Sequence, residues 1–131
     1  MKILAVEDDP VSLMVLEASL VSLGHEVLTA INGHEAWEVL CRQSIRVVIS
    51  DWEMPRVNGL ELCSLIRNRQ RQGAAPVHFV LLTKSTASEM NREKAREAGV
   101  DDFLEKPFLQ ADLVRCLANL GEAASGSWSV T

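Results

Sequence analysis

The chain has 131 residues, enough for one domain with a real core and too few for two. Its 47% hydrophobic and 24% charged content is ordinary for a globular protein, and a net charge of -5 without a basic stripe argues mildly against nucleic acid as a direct partner. No apolar run is long enough to span a bilayer, and Met1-Lys2 leads straight into strand-like sequence instead of a signal peptide, so a cytoplasmic protein with no membrane partner is expected. Cys41, Cys63 and Cys116 are odd in number and scattered among apolar neighbours, which reads as buried free thiols.

Strand and helix signals alternate along the chain. Ile3 to Val6 is a first apolar run, ending in Glu7-Asp8-Asp9-Pro10. Pro10 suits the first helical position with Asp9 as its cap; Leu13, Leu16, Leu20 and Leu23 keep one face apolar, and Gly24 stops the helix. Val27-Leu28 marks a second strand, Asn32-Gly33 a turn, and a short helix carries Ala36, Trp37, Leu40 and Cys41. Val47-Val48-Ile49-Ser50 then runs into Asp51, with the proline turn Trp52-Glu53-Met54-Pro55 behind it. Asn58 and Glu61 predict a capping box for a third helix, whose core face is Leu62, Leu65 and Ile66, closed by Gly73 and Pro76. Val77 to Leu82 runs into Thr83; Thr86 and Glu89 suggest another box, and Gly99 ends that helix. A fifth strand, Asp102-Phe103-Leu104-Glu105, delivers Lys106-Pro107, and Leu113, Val114, Leu117 and Leu120 line a last helix up to Gly121.

Five such strand–helix units imply an α/β fold, a parallel sheet covered on both faces with right-handed crossovers. Residues 1–121 form the domain, and the small, polar stretch 122–131 reads as a tail or the start of a linker. In an open parallel sheet the carboxyl ends of the strands share one rim, where ligands bind. Here those ends carry Glu7 and Asp8, Asp51, Thr83 and Lys106. Carboxylates about 4 Å apart repel by roughly 4 kcal/mol per pair at an effective dielectric near 20, so such a cluster shifts its pKa values or binds a cation. All-oxygen ligands with open positions suit Mg²⁺ or Mn²⁺, completed by a phosphoryl group. A carboxylate nucleophile, a divalent metal, a lysine and a hydroxyl together describe phosphoryl transfer to an aspartate. Trp37 and Trp52 read as partly buried packing residues, while His25, His34 and His78 have no convergent partners.

In this combination the chain resembles the receiver domains of two-component response regulators, and Val48 to Pro55 is similar to the same stretch of the family's single-domain chemotaxis members. The resemblance implies a flavodoxin-like doubly wound (βα)5 fold with sheet order 2-1-3-4-5. It also implies Asp51 as phosphoacceptor, Glu7 and Asp8 as the acidic pair that holds Mg²⁺ with Asp51 and the backbone carbonyl of Glu53, and Lys106 before a proline that is usually cis. Thr83 matches the switch hydroxyl and Phe103 the aromatic switch position. The implied partners are a sensor histidine kinase or phosphotransfer protein, then a downstream protein target or a C-terminal output domain, with a dimer contact on the face of the fourth helix, fifth strand and fifth helix. The implied activity is a switch rather than an enzyme, limited to its own phosphorylation and dephosphorylation. A Mg²⁺-dependent aspartyl-phosphate hydrolase would need its nucleophile on the first strand, and a phosphorylation-independent interaction module would have no need of this full set of groups. Two residues depart from the family pattern: Lys84 where a small residue usually follows the threonine, and Glu53 two places after Asp51. Paired across the pocket mouth, they would slow the approach of a hydrolytic water.

Overall fold

The computed structural model describes residues 1–52, 57–84 and 89–118, and at Lys84, Glu89 and Met90 the backbone alone. In chain order the elements are β1 (Lys2–Val6), α1 (Pro10–Ser22), β2 (Glu26–Ala30), α2 (Gly33–Arg42), β3 (Val47–Asp51), α3 (Gly59–Arg71), β4 (His78–Lys84), α4 (Glu89–Glu97) and β5 (Asp102–Lys106). A final helix, α5, occupies 110–118. The five strands form one parallel sheet in the order β2-β1-β3-β4-β5. The order reverses between β1 and β3, which places Glu7, Asp8 and Asp51 at the switch point.

Successive strand residues point to opposite faces, and both faces are covered, which is why the strand sequences are continuously apolar. Leu4, Val6, Val48, Phe79 and Leu81 pack against Ala36 and Leu40 of α2, Leu62, Cys63 and Ile66 of α3 and Ala95 of α4. On the other face Ile3, Ala5, Val47, Ile49, Val80, Leu82 and Leu104 pack against Leu16 and Leu20 of α1 and Leu113, Cys116 and Leu117 of α5.

The helix ends follow the sequence signals closely. Asp9 caps α1, accepting from the Ser12 N–H at 3.0 Å and the Ser12 hydroxyl at 2.6 Å, and both bonds hold its carboxylate below the ordinary range. Asn58 and Glu61 form the expected reciprocal capping box on α3. Gly24, Gly73 and Gly99 all sit at positive φ just past their helices.

Several expectations are corrected. Asn32-Gly33 is a helix start: the Asn32 side chain accepts from the Glu35 N–H at 2.8 Å, making Asn32 the cap of α2. Leu65 and Val114 are exposed, and Cys63 and Cys116 take the core positions of α3 and α5 instead. Both thiols pack directly on backbone, Cys63 Sγ 3.4 Å from the Ala98 carbonyl and Cys116 Sγ 4.0 Å from that of Phe103, an approach that suits a small side chain. Cys41 is exposed, so only two of the three free thiols are buried. Burial pushes both of those thiols up to about 11, which leaves them protonated and inert. The Thr86–Glu89 box, the end of α5 beyond residue 118 and the tail 122–131 lie outside the described residues.

His78 does meet partners. Its Nδ1 lies 3.7 Å from Asp101 Oδ2, in a network centred on Arg67. The Arg67 guanidinium donates to Asp101 Oδ2 and to the Val77 carbonyl, each at 2.6 Å, and to the Gly99 carbonyl at 2.8 Å. Asp101 also accepts the Phe79 N–H at 2.8 Å. This network ties α3, the start of β4 and the start of β5 at the rim opposite the acidic cluster.

Candidate functional site

Glu7, Asp8 and Asp51 each present a carboxylate oxygen within 4.8 Å of the other two. β1 and β3 are hydrogen-bonded neighbours in register Val6 to Ser50, so the residues one step beyond stand side by side. The three differ in exposure: Glu7 is 2% exposed, Asp51 lies partly buried and Asp8 faces solvent. Lys106, at the end of β5, reaches across the rim and places its ammonium 2.7 Å from Glu7 Oε2 and 3.2 Å from Asp51 Oδ1. The peptide bond between Lys106 and Pro107 is cis.

Burial raises the Glu7 pKa from 4.5 to about 7, with the Asp51 carboxylate adding to the rise and the Lys106 hydrogen bond opposing it. Burial also works against the Lys106 charge, but its hydrogen bond to Glu7 and the field of Asp51 outweigh this and leave its pKa raised. Lys106 is therefore a fixed positive charge held between two acids. The oxygen-only donor set of Glu7, Asp8 and Asp51, open on the Asp8 side, fits a small hard dication such as Mg²⁺.

Thr83 stands at the end of β4, beside Asp51 on the same rim. Its side chain is 2% exposed, and its hydroxyl has no hydrogen-bond partner among the described residues. A buried hydroxyl without a partner is rare and costs stability, so its presence calls for a reason. Phe103 is half-buried against the α2–α3–α4 side of the core, with the Arg92 and Arg96 guanidinium groups 5.3 and 5.5 Å from its ring centroid. Thus Glu7, Asp8, Asp51 and Lys106 converge, Thr83 borders them, and Phe103 lies one sheet position away on the α4 side. Glu53 and the Lys84 side chain lie outside the described residues.

Sequence reasoning missed two glycines that support this rim. A Cβ on Gly59 would stand 2.5 Å from the Asp51 carbonyl oxygen and 2.8 Å from Leu81, so only glycine lets α3 start this close to Asp51. The Gly59 N–H in turn donates to the Trp52 carbonyl at 2.8 Å. A Cβ on Gly33 would overlap Val57, on the other flank of the same loop. The available signal was a glycine at the first position of each of two helices, where no turn requires it.

Residues 3–118 match the family described as the response regulator receiver domain. The chain is a response-regulator receiver domain. It is 34% identical over 128 residues to a chemotaxis protein CheY homolog of Campylobacter jejuni, covering 96% of each chain. Among solved structures it is similar to the receiver domain of the sensor histidine kinase PA1611 of Pseudomonas aeruginosa, with magnesium coordinated in its active-site cleft: TM-score 0.78, 35% identity, 90% of this chain and 94% of that one. It also matches a chain of the Saccharomyces cerevisiae co-crystal structure of the histidine phosphotransfer protein Ypd1 with the receiver domain of its downstream response regulator Ssk1. That match has a TM-score of 0.80 and 29% identity, over 87% of this chain and 83% of the other. The receiver therefore belongs to two-component signalling and resembles the single-domain chemotaxis type. Among the described residues no helix is long and apolar enough to cross a membrane.

Proposed function

We propose that this receiver is a phosphorylation switch in which Asp51 accepts a phosphoryl group from a phosphohistidine on a partner kinase or phosphotransfer protein. The observation that carries this reading is the convergence of Asp51 with Glu7, Asp8 and Lys106 beside the Thr83 hydroxyl, which has no partner among the described residues. An Asp51 oxygen attacks phosphorus in line; the P–O bond forms as the P–N bond breaks, and the imidazole leaves with the bonding pair and takes up a proton. Lys106 is held where a phosphoryl oxygen would arrive, and its ammonium exchanges the Asp51 contact for one to that oxygen. Glu7, Asp8 and Asp51 would hold Mg²⁺, which when bound supplies charge neutralisation for the phosphoryl oxygens. The backbone carbonyl of Glu53 is proposed as a further ligand.

Thr83 then acquires an acceptor, because its hydroxyl can donate to a phosphoryl oxygen on Asp51. That inward movement vacates space for Phe103 and shifts the population between two packings of the α4–β5–α5 face. This face is the proposed contact for a downstream target, an output domain or a second copy. A protein phosphodonor is further supported by the exposed Val11 and Val15 of α1, apolar residues that line one cavity with Glu7 and Lys106.

The test is labelling with acetyl phosphate in Mg²⁺. One acid-labile, hydroxylamine-sensitive phosphoryl group is expected in the wild type and none in Asp51→Asn, with metal affinity strongly reduced in Asp8→Ala. Undiminished labelling of Asp51→Asn refutes the assignment.

A further inference from the structure

We infer that Arg92 and Arg96 are positioning residues that clamp Phe103 in its resting place and so set the threshold at which the site's state reaches the α4–β5 face. The inference rests on the switch reading above. Residues 92 and 96 are one helical turn apart, so their side chains share one face of α4. Both guanidinium groups lie over the same ring, at 5.3 and 5.5 Å from its centroid. Two cations brought together repel, so this arrangement needs something to hold it. The ring's negative face is one such attraction, and Glu105, 3.3 Å from Arg92, is another. Glu93, 3.4 Å from Arg96, adds a third.

The register of β4 and β5 connects this cluster to the site. Leu81 lies opposite Phe103 and Thr83 opposite Glu105, so Thr83, Phe103 and Glu105 project from the same face of the sheet. Arg92 therefore touches both the residue paired with Thr83 and the ring one sheet position earlier. Space vacated by the Thr83 side chain opens next to these two contacts. Phe103 can move into it only by leaving the guanidinium groups, or by drawing α4 along. Exposed cation–π contacts are individually weak. A clamp built from two of them delays a transition without forbidding it.

The test compares wild type with Arg92→Ala/Arg96→Ala and with Arg92→Lys/Arg96→Lys. Arg96 is exposed and Arg92 partly covered, neither is buried in the core, and alanine favours helix, so the variants should fold. Two readouts are taken: the Phe103 ring resonances of the free protein, and the concentration of beryllofluoride, a phosphoryl mimic, that half-saturates it in Mg²⁺. Removing the clamp should move the free-protein ring resonances toward their mimic-bound positions. It should also tighten beryllofluoride binding by about fivefold, because a change that favours the activated packing must favour the ligand that selects it. The lysine pair should fall between, since it keeps the charges and loses the planar stacking. With Mg²⁺ held at saturation in every variant, removing two positive charges would by itself weaken binding of the anionic mimic, so tightening cannot come from net charge. Unchanged ring resonances, or affinity unchanged or weakened in the double alanine variant, would overturn the clamp. If wild type binds no beryllofluoride, the switch reading fails, and the free-protein ring resonances still decide whether the arginines position Phe103.

Discussion

Thr83 carries a cost in the resting protein, because its buried hydroxyl has no partner among the described residues. An unsatisfied group of this kind costs roughly 1–3 kcal/mol. Thr83→Val keeps the shape and removes the hydroxyl, so it should raise the stability of the unphosphorylated protein by about 1 kcal/mol in denaturant unfolding. The same variant should still accept phosphate on Asp51 yet lose the Phe103 response; a less stable variant would show that the hydroxyl is satisfied in solution. Glu7 makes a pH-dependent contribution of defined sign. Its pKa rises on folding from 4.5 to about 7, so the folded protein holds an extra proton between those values. That contribution to stability is fully present below pH 4.5 and is lost as pH rises through 7. The slope should vanish in Glu7→Gln. Metal needs the charged carboxylate, so Mg²⁺ affinity should run the other way and be about tenfold weaker at pH 6 than at pH 8, measurable by calorimetry.

At the scale of elements, the sequence was most legible where a local rule decides the outcome. Asp9-Pro10 and Asn58 with Glu61 set the starts of α1 and α3 by hydrogen bonds within one turn, and both are found as read. Asn32-Gly33 follows the same rule but carries a stronger turn signature, and what decides it is tertiary: Gly33 must lie against Val57, 24 residues away. Helix faces were less legible than helix ends. Leu65 and Val114 fit the periodic pattern as well as Cys63 and Cys116 do, and the close approach of each thiol to a backbone carbonyl favours the smaller side chain. The acidic rim was readable because each of its residues ends a strand, and parallel strands bring those ends together. The Arg67 network was not, since Val77 and Gly99 join it through backbone carbonyls that leave no pattern in side-chain identity, and only Asp101 contributes a side chain, 34 residues from Arg67.

Across the whole molecule the two rims of the sheet are built to opposite ends. One holds crowded acids, a lysine and a hydroxyl without a partner among the described residues; the other is fastened by a guanidinium making several short bonds. Stability and switching are thus separated along the strand direction, as expected where a functional site must tolerate strain. Arg67→Lys cannot reproduce the planar set of donors and should cost about 2–3 kcal/mol in unfolding while leaving beryllofluoride and Mg²⁺ affinity within error of wild type. Equal loss of binding would mean the rims are coupled. The separation also makes the weakened protein a gauge of what occupies its far end. A ligand that binds only the folded chain adds RT ln(1 + [L]/Kd), about 2.7 kcal/mol at a hundredfold excess over Kd. Against a fold thinned at its base, that increment would restore most of the lost stability. A simple melting curve of Arg67→Lys would then rank candidate phosphodonor mimics and cations by how far each brings the midpoint back.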